Sequence, residues 1–337
     1  MYSKAKTFSH VYVEDGLQGH PRAGAILARF PSAEVVPVDD YQNVFGRGRQ
    51  DFWKQKASPK LILARKKDNF LYRGNPFLQA NLSPNFSYNA MVLNCPYDCH
   101  YCYLQGLYNG ANIVAFVNLE DFFTAAATAC EQRPAPDEPM PLAISYDTDL
   151  LALEGLLGFA GEWVEWVRHQ PDILIEIRTK SAPGSFLRSV APTPPARLAW
   201  TLSPDSIARR YESGAPSLKL RLKAMNDAAA LGWRMTLCID PILNLPNAVD
   251  IYRDFVKQLA EEAPWHAIER VELGVFRVSS AYFKRMLSRP GTDLLHYPYE
   301  HASKVVSYNK KEREDLVDAV QSGLLATISK EKIFIWT

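Results

Sequence analysis

Asn94-Cys95-Pro96-Tyr97-Asp98-Cys99-His100-Tyr101-Cys102-Tyr103-Leu104-Gln105 sets three thiols on one short stretch. Thiolates spaced Cys-x-x-x-Cys-x-x-Cys can converge on one metal centre, because cysteine is the soft ligand that iron–sulfur clusters and zinc select. A disulfide framework suits the group poorly: the chain has 5 cysteines, an odd number, the adjacent spacings are tight, and no secretory leader is read at the start. Zinc stays open, with His100 or a distant residue as fourth ligand. Zinc motifs, however, usually bring two separated pairs, and here there is no second pair. Cys130 and Cys238 stand alone and read as small core residues.

The chain is 337 residues long and 47% hydrophobic, enough for one large domain or two unequal ones. Its formal charge of +1 announces no global basic field. Locally, Arg47, Arg49, Lys54, Lys56, Lys60, Arg65, Lys66 and Lys67 form a basic run with Phe52 and Trp53 interleaved, followed by Phe70 and Tyr72. Such a run either tracks phosphates and stacks bases or is a solvated face. No segment has the length of apolar residues a membrane span needs. Met1–Lys6 has no apolar leader. A cytoplasmic protein, monomeric and without a membrane partner, is expected.

Periodicity predicts a strand at His10 to Val13, a helix over Gly19 to Arg29 and a strand at Ala33 to Val38, an opening βαβ unit. From Ile113 apolar runs recur at Ile113 to Val117, Leu142 to Tyr146, Ile173 to Arg178, Arg197 to Leu202, Met235 to Ile239 and Val271 to Phe276. Amphipathic stretches at Leu119 to Glu131, Leu156 to His169, Ser217 to Leu231 and Val249 to Glu262 separate them. This alternation predicts parallel β/α units. Counting a strand near Ala90 to Leu93, about six units fit a partial barrel, with ligand sites at the strands' carboxyl ends. After Pro290 a charged helix, Lys310 to Ser322, and a strand, Lys332 to Trp336, read as a cap. The expected division is 1–85, 86–290 and 291–337.

The cysteine spacing resembles the cluster-binding signature of the radical S-adenosylmethionine (radical SAM) enzymes. The longer string Cys99-His-Tyr-Cys-Tyr-Leu-Gln105 is similar to the narrower spore photoproduct lyase family, as are Tyr41-Gln-Asn43, Arg178-Thr-Lys180, Leu202-Ser-Pro204, Asp240-Pro-Ile242 and Glu272-Leu273. The resemblance covers the chain from about residue 8 onward by the standard of a motif hypothesis. It implies an α/β fold, a partial (β/α)6 TIM-like barrel of the radical SAM type with an N-terminal βαβ extension. It further implies a lyase in DNA repair. Cys95, Cys99 and Cys102 would hold a 4Fe-4S cluster, S-adenosylmethionine would bind its open iron, and flavodoxin or ferredoxin would supply electrons. The expected substrate is a thymine dimer lesion in DNA.

Cofactor contacts are then expected at strand ends: Ser145, Thr148, Asp149, Lys180, Ser203 and Asp240. Each has a plainer role available, helix capping for Ser145 and Thr148 and surface snorkelling for Lys180. Tyr101 and Tyr103 match tyrosines that the family places for radical transfer. Arg277, Tyr297 and Tyr299 are candidates for substrate or nucleic-acid contact. One departure stands out. Where the family has the cysteine that returns a hydrogen atom to the product, this chain has Tyr146. A radical SAM enzyme on another substrate, such as a modified nucleotide, and a non-catalytic nucleic-acid-binding protein with a structural metal loop remain alternatives.

Overall fold

The computed structural model describes residues 8–74 and 83–336; the reading of Met1–Lys6 falls outside them. Leu61–Ala64, four consecutive apolar residues at 1% exposure or less, is covered on both faces, as the centre of a parallel sheet requires. The His10–Glu14 strand lies beside it and Glu34–Val38 beyond, both parallel. On the other side come Ile113–Phe116, parallel, and Val92–Leu93, antiparallel. The Pro21–Leu27 helix connects His10–Glu14 to Glu34–Val38.

The second sheet is wound in one direction. Ser87–Tyr88, Met140–Ala143, Ile173–Thr179, Ala196–Thr201, Met235–Ile242, Ile268–Val275 and Ile333–Trp336 lie side by side in chain order, each parallel to the next. Tyr72–Arg73 adds an antiparallel edge. A single winding direction curls the sheet into a half-barrel, whereas a doubly wound sheet reverses its order. The fold is therefore α/β, with a curled sheet.

Three strands fall elsewhere than the sequence suggests. Val92–Leu93 and Ile113–Phe116 complete the first sheet instead of opening the barrel. Ile333–Trp336, expected in a cap, joins the curled sheet beside Ile268–Val275. The physical reason is shared: each strand's apolar pattern needs a neighbour, and the neighbour available is distant in sequence. The helix expected over Leu156 to His169 is two helices, Leu150–Leu157 and Phe159–Val167, separated at Gly158 by its left-handed φ of 73°. Only a residue without Cβ adopts that angle cheaply. Asp149 starts the first of them, accepting from the Ala152 amide at 3.0 Å, the usual work of an N-cap carboxylate.

Arg22 ties the first sheet's helix to the helices around the barrel, pairing with Glu162 at 2.6 Å and Glu120 at 2.7 Å. On the Ile173–Thr179 strand Ile173, Ile175 and Ile177 are buried while Glu176 and Arg178 stay partly exposed. Successive side chains point to opposite faces, so one face of the curled sheet meets helices and the other carries charge.

Candidate active site

The cysteine loop leaves the first sheet after Val92–Leu93 and docks on the second. Asn94 turns it with a φ of 67° and anchors the turn by donating its side-chain amide to the Gly110 and Asn112 carbonyls. A short antiparallel ladder then pairs Asp98–Cys99 with Glu212–Ser213, and the His100 amide donates to the Tyr211 carbonyl at 2.8 Å. Gln105 closes the loop on itself by donating to the His100 and Cys102 carbonyls. Arg289 grips Asp98 with two bonds of 2.8 and 2.9 Å. His100, considered as a fourth zinc ligand, is engaged by Thr292 at 3.0 Å and packs edge-on against Tyr211.

Burial pushes Cys95 and Cys99 up to about 12 and Cys102 up to about 11. Two lysines oppose it. Lys56 donates to the Cys95 carbonyl at 2.6 Å, and the Lys180 ammonium lies 5.5 Å from the centroid of the Tyr101 ring; their charges draw the thiols back down. The cysteines are free thiols, and among the described residues no group of three His, Cys, Asp or Glu side chains is gathered as metal ligands. The donor chemistry suits an iron–sulfur cluster all the same: three soft ligands from one loop, flanked by cations, with the Tyr97 amide donating to the Cys95 sulfur at 3.4 Å. Several buried polar atoms also have no hydrogen-bond partner among the described residues, namely Thr148 Oγ1, Asn94 Oδ1 and both ends of the Asn89 amide. Leaving such groups unsatisfied costs roughly 1–3 kcal/mol each, so a polar ligand at the carboxyl ends has bonds to complete.

Around the loop, Glu212 is a hub that sequence reading did not find. It accepts from Tyr101 and from Ser203 at 3.0 Å, and pairs with Arg221 at 2.5 Å. Burial alone would raise its carboxyl, but the charges of Arg221 and Lys180 and the Tyr101 hydrogen bond hold it below the usual range. A second hub is Asp147, which accepts from Tyr108 at 2.6 Å and Tyr103 at 2.9 Å. Burial raises this carboxyl and the two phenols only partly offset the effect. Tyr103 also donates to the Tyr146 carbonyl. The Tyr146 ring stacks on Tyr88 with centroids 3.9 Å apart, and Tyr88 stacks on Tyr72 at 5.3 Å. No motif flags Tyr88 or Glu212, since each is a single residue whose partners lie far along the chain; Asp147 sits inside the Ser145–Asp149 run without being singled out there.

The remaining candidates divide. Ser145 accepts from the Arg178 amide at 2.7 Å. Asp149 accepts at one oxygen from Ala152, Thr179 and Ser181 and at the other from the Lys180 amide; it caps a helix and clasps the next strand. Asp240 and Arg277 pair with each other at 3.0 Å, and Gly274 leaves the room, since a Cβ there would lie 2.5 Å from the Arg277 guanidinium. Tyr299, expected at substrate, is a core residue: 9% exposed, packed against Phe276, Phe283 and Tyr308, with its hydroxyl on the Leu294 carbonyl. Tyr297 donates to Glu312, accepts from Asn244 and lines a cleft of about 390 Å³ with Asn244, Asp293 and Leu294. Cys130 and Cys238 are both buried, as expected, and the Cys238 sulfur lies 4.0 Å from Glu272. No helix among the described residues is long and apolar enough to cross a membrane.

Comparison with known proteins bears on this arrangement. The family model described as spore photoproduct lyase matches residues 79–290. A curated spore photoproduct lyase from Geobacillus sp. is 23% identical over 173 residues, 51% of this chain and 50% of that relative. The alignment thus spans about half the length of the curated protein. Spore photoproduct lyase complexed with dinucleoside spore photoproduct superposes with a TM-score of 0.83 at 17% identity, covering 99% of both chains. A double mutant of that enzyme with bound AdoMet and the same dinucleoside superposes at 0.81 and 17% identity, again over 99% of each. At such identity the superpositions establish the fold.

Proposed function

This chain belongs to the spore photoproduct lyase family, and on that premise we propose that it is a radical SAM lyase that repairs thymine dimer lesions in DNA. The observation that carries the reading is the placement of the Cys95–Cys102 loop. It is pinned through Cys99 to Glu212 at the carboxyl ends of the curled sheet, with Lys180 beside it and unpartnered polar atoms close by in the chain. Six β/α units around the curled sheet, with the first sheet as an N-terminal extension, form the scaffold in this reading.

Cys95, Cys99 and Cys102 hold a 4Fe-4S cluster, and Thr148, Lys180, Ser203 and Asp240 lie at successive strand ends where S-adenosylmethionine binds. When bound, that pair supplies one-electron cleavage of a sulfonium and hence the power to abstract a hydrogen atom. Lys56 and Lys180 balance the added negative charge of the thiolates. Tyr146 stands where the family has its hydrogen-donating cysteine, and its phenol takes over that role. Its O–H bond breaks, a C–H bond forms on the product thymine, and the phenoxyl is left stacked on Tyr88. An electron from the low-potential flavodoxin- or ferredoxin-type reductant and a proton from solvent restore it. Tyr101 and Tyr103, held by Glu212 and Asp147, keep the space between loop and Tyr146 ordered.

The test is anaerobic reconstitution with iron, sulfide, S-adenosylmethionine and dithionite, followed by assay of 5′-deoxyadenosine and of dimer cleavage. Both are expected from the native chain, and Tyr146→Phe is expected to keep 5′-deoxyadenosine formation while losing repair. Stoichiometric zinc without visible iron–sulfur absorption would falsify the reading. Formation of 5′-deoxyadenosine without dimer cleavage moves the chain to a second reading, the same chemistry on a modified nucleotide, which the replacement at Tyr146 favours.

A further inference from the structure

At the carboxyl end of the Leu61–Ala64 strand the chain runs Arg65-Lys66-Lys67-Asp68-Asn69-Phe70. Arg65, Lys66, Lys67 and Phe70, with Asp121, Thr124 and Ala125 of the Leu119–Glu131 helix, line an open cleft of about 560 Å³. The cleft opens between the end of the Leu61–Ala64 strand and the helix that follows its parallel neighbour Ile113–Phe116, at the carboxyl ends of parallel strands, where open α/β sheets bind ligands.

The cations are held loosely. Arg65 faces Asp121 at 3.4 Å with side chains 58% and 41% exposed, and Lys67 faces Asp40 at 3.2 Å with 64% and 40% exposed; buried Glu14 lies a further 3.8 Å from Lys67. Ion pairs this exposed are worth at most about 1 kcal/mol, so exchanging them for a phosphate costs little. Lys66 makes no carboxylate pair among the described residues. Its ammonium donates to the Tyr72 hydroxyl at 3.1 Å and lies over the Phe116 and Tyr72 rings. From there the Tyr72, Tyr88 and Tyr146 rings stack in succession toward the site. A cationic cleft that continues into stacked aromatic rings is the pattern of single-strand nucleic-acid binding, in which charges follow the backbone and rings take bases.

We propose that this cleft holds the phosphodiester backbone of the DNA strand flanking the reacting nucleotides, delivering them along the Tyr72–Tyr88 stack to Tyr146. The inference rests on the proposed DNA-directed function and adds where the strand enters. It predicts that DNA affinity depends on residues that touch neither cofactor nor lesion. The Lys310–Leu324 helix serves as a contrast, for Lys310 and Lys311 are 81% and 83% exposed but border no such cleft.

The experiment measures anisotropy of a labelled, lesion-free oligothymidylate with full-length protein across a salt series. Arg65→Ala/Lys67→Ala is expected to weaken binding about 5- to 20-fold and to reduce the slope of log affinity against log salt by about 1.4, the loss of two single-strand phosphate contacts. Lys310→Ala/Lys311→Ala is expected to leave the slope unchanged, and circular dichroism checks that both variants fold. An unchanged slope in the cleft variant overturns the proposal. So does unchanged DNA binding with slowed reduction by an acidic flavodoxin-type donor, which would assign the cleft to that protein. A chain that binds DNA with the expected slope yet forms no 5′-deoxyadenosine would retain the cleft and refute the function.

Discussion

The two faces of the curled sheet are built to opposite rules. Toward the helices Ile173, Ile175, Ile177, Leu237, Ile239, Val271 and Leu273 are at 1% exposure or less. On the other face Arg178 pairs with Glu176, Asp240 and Glu272, and Arg270 with Glu272. Parallel strands covered on both sides read as continuous apolar runs, as Leu61–Ala64 does. The Ile173–Thr179 strand of the curled sheet alternates instead, which marks a face turned to something polar. One face holds the fold and the other is available for binding.

Several measurements would break or sharpen this contrast. The largest effect is expected where charge is buried as deeply as the apolar face. Arg221 and Glu212 have side-chain exposures of 1% and 0%, and Arg221→Met strands a buried carboxylate at a cost of about 3–5 kcal/mol. Urea denaturation measures it, and a loss below ~1 kcal/mol would mean that the charged rim is not structural. Ile175→Ala, on the helix side, should cost about 2–4 kcal/mol through lost transfer and a residual cavity, with cofactor binding retained. Arg178→Met, on the charged face, leaves Glu272, 6% exposed, with Arg270 as its one cation among the described residues and should cost about 1–3 kcal/mol while impairing the proposed dimer cleavage; equal losses of cleavage per folded protein from Ile175→Ala and Arg178→Met would erase the distinction. The smallest effect is with acid. The Glu212 carboxyl is held below its ordinary 4.5, so its contribution is complete above that pH and is lost as pH falls through the folded value. Native protein should therefore lose stability below pH 4.5 more steeply than Arg221→Met.

Much of the curled sheet was legible because its alternation is local: each strand from Ile173 to Phe276 lies within a few residues of its expected place. What escaped is what depends on partners. Leu61–Ala64 was hidden inside a basic run, and its four apolar residues become a strand signal only when both neighbours are known. Val92–Leu93 and Ile113–Phe116 read correctly as strands but gave no sign of their sheet: Ile113–Phe116 pairs in parallel with the distant Leu61–Ala64, and the antiparallel pair the two make is joined by the cysteine loop rather than a turn. The three cysteines were plain from spacing. Glu212 and Asp147 were not, because a buried acid is recognised by the phenols and guanidinium it meets, and Tyr101, Ser203 and Arg221 reach Glu212 from three separate segments.

The short ladder between Asp98–Cys99 and Glu212–Ser213 has a bearing on how the protein matures. Cys99 is fixed by a segment more than a hundred residues downstream, which follows the Ala196–Thr201 strand and exists as a partner only once that part of the sheet has assembled. In a zinc finger the metal gathers the chain; under the proposed cluster role this chain would have to gather before the metal had a seat. Loading would then be a late event performed on a nearly finished scaffold, and protein prepared without iron should retain its shape.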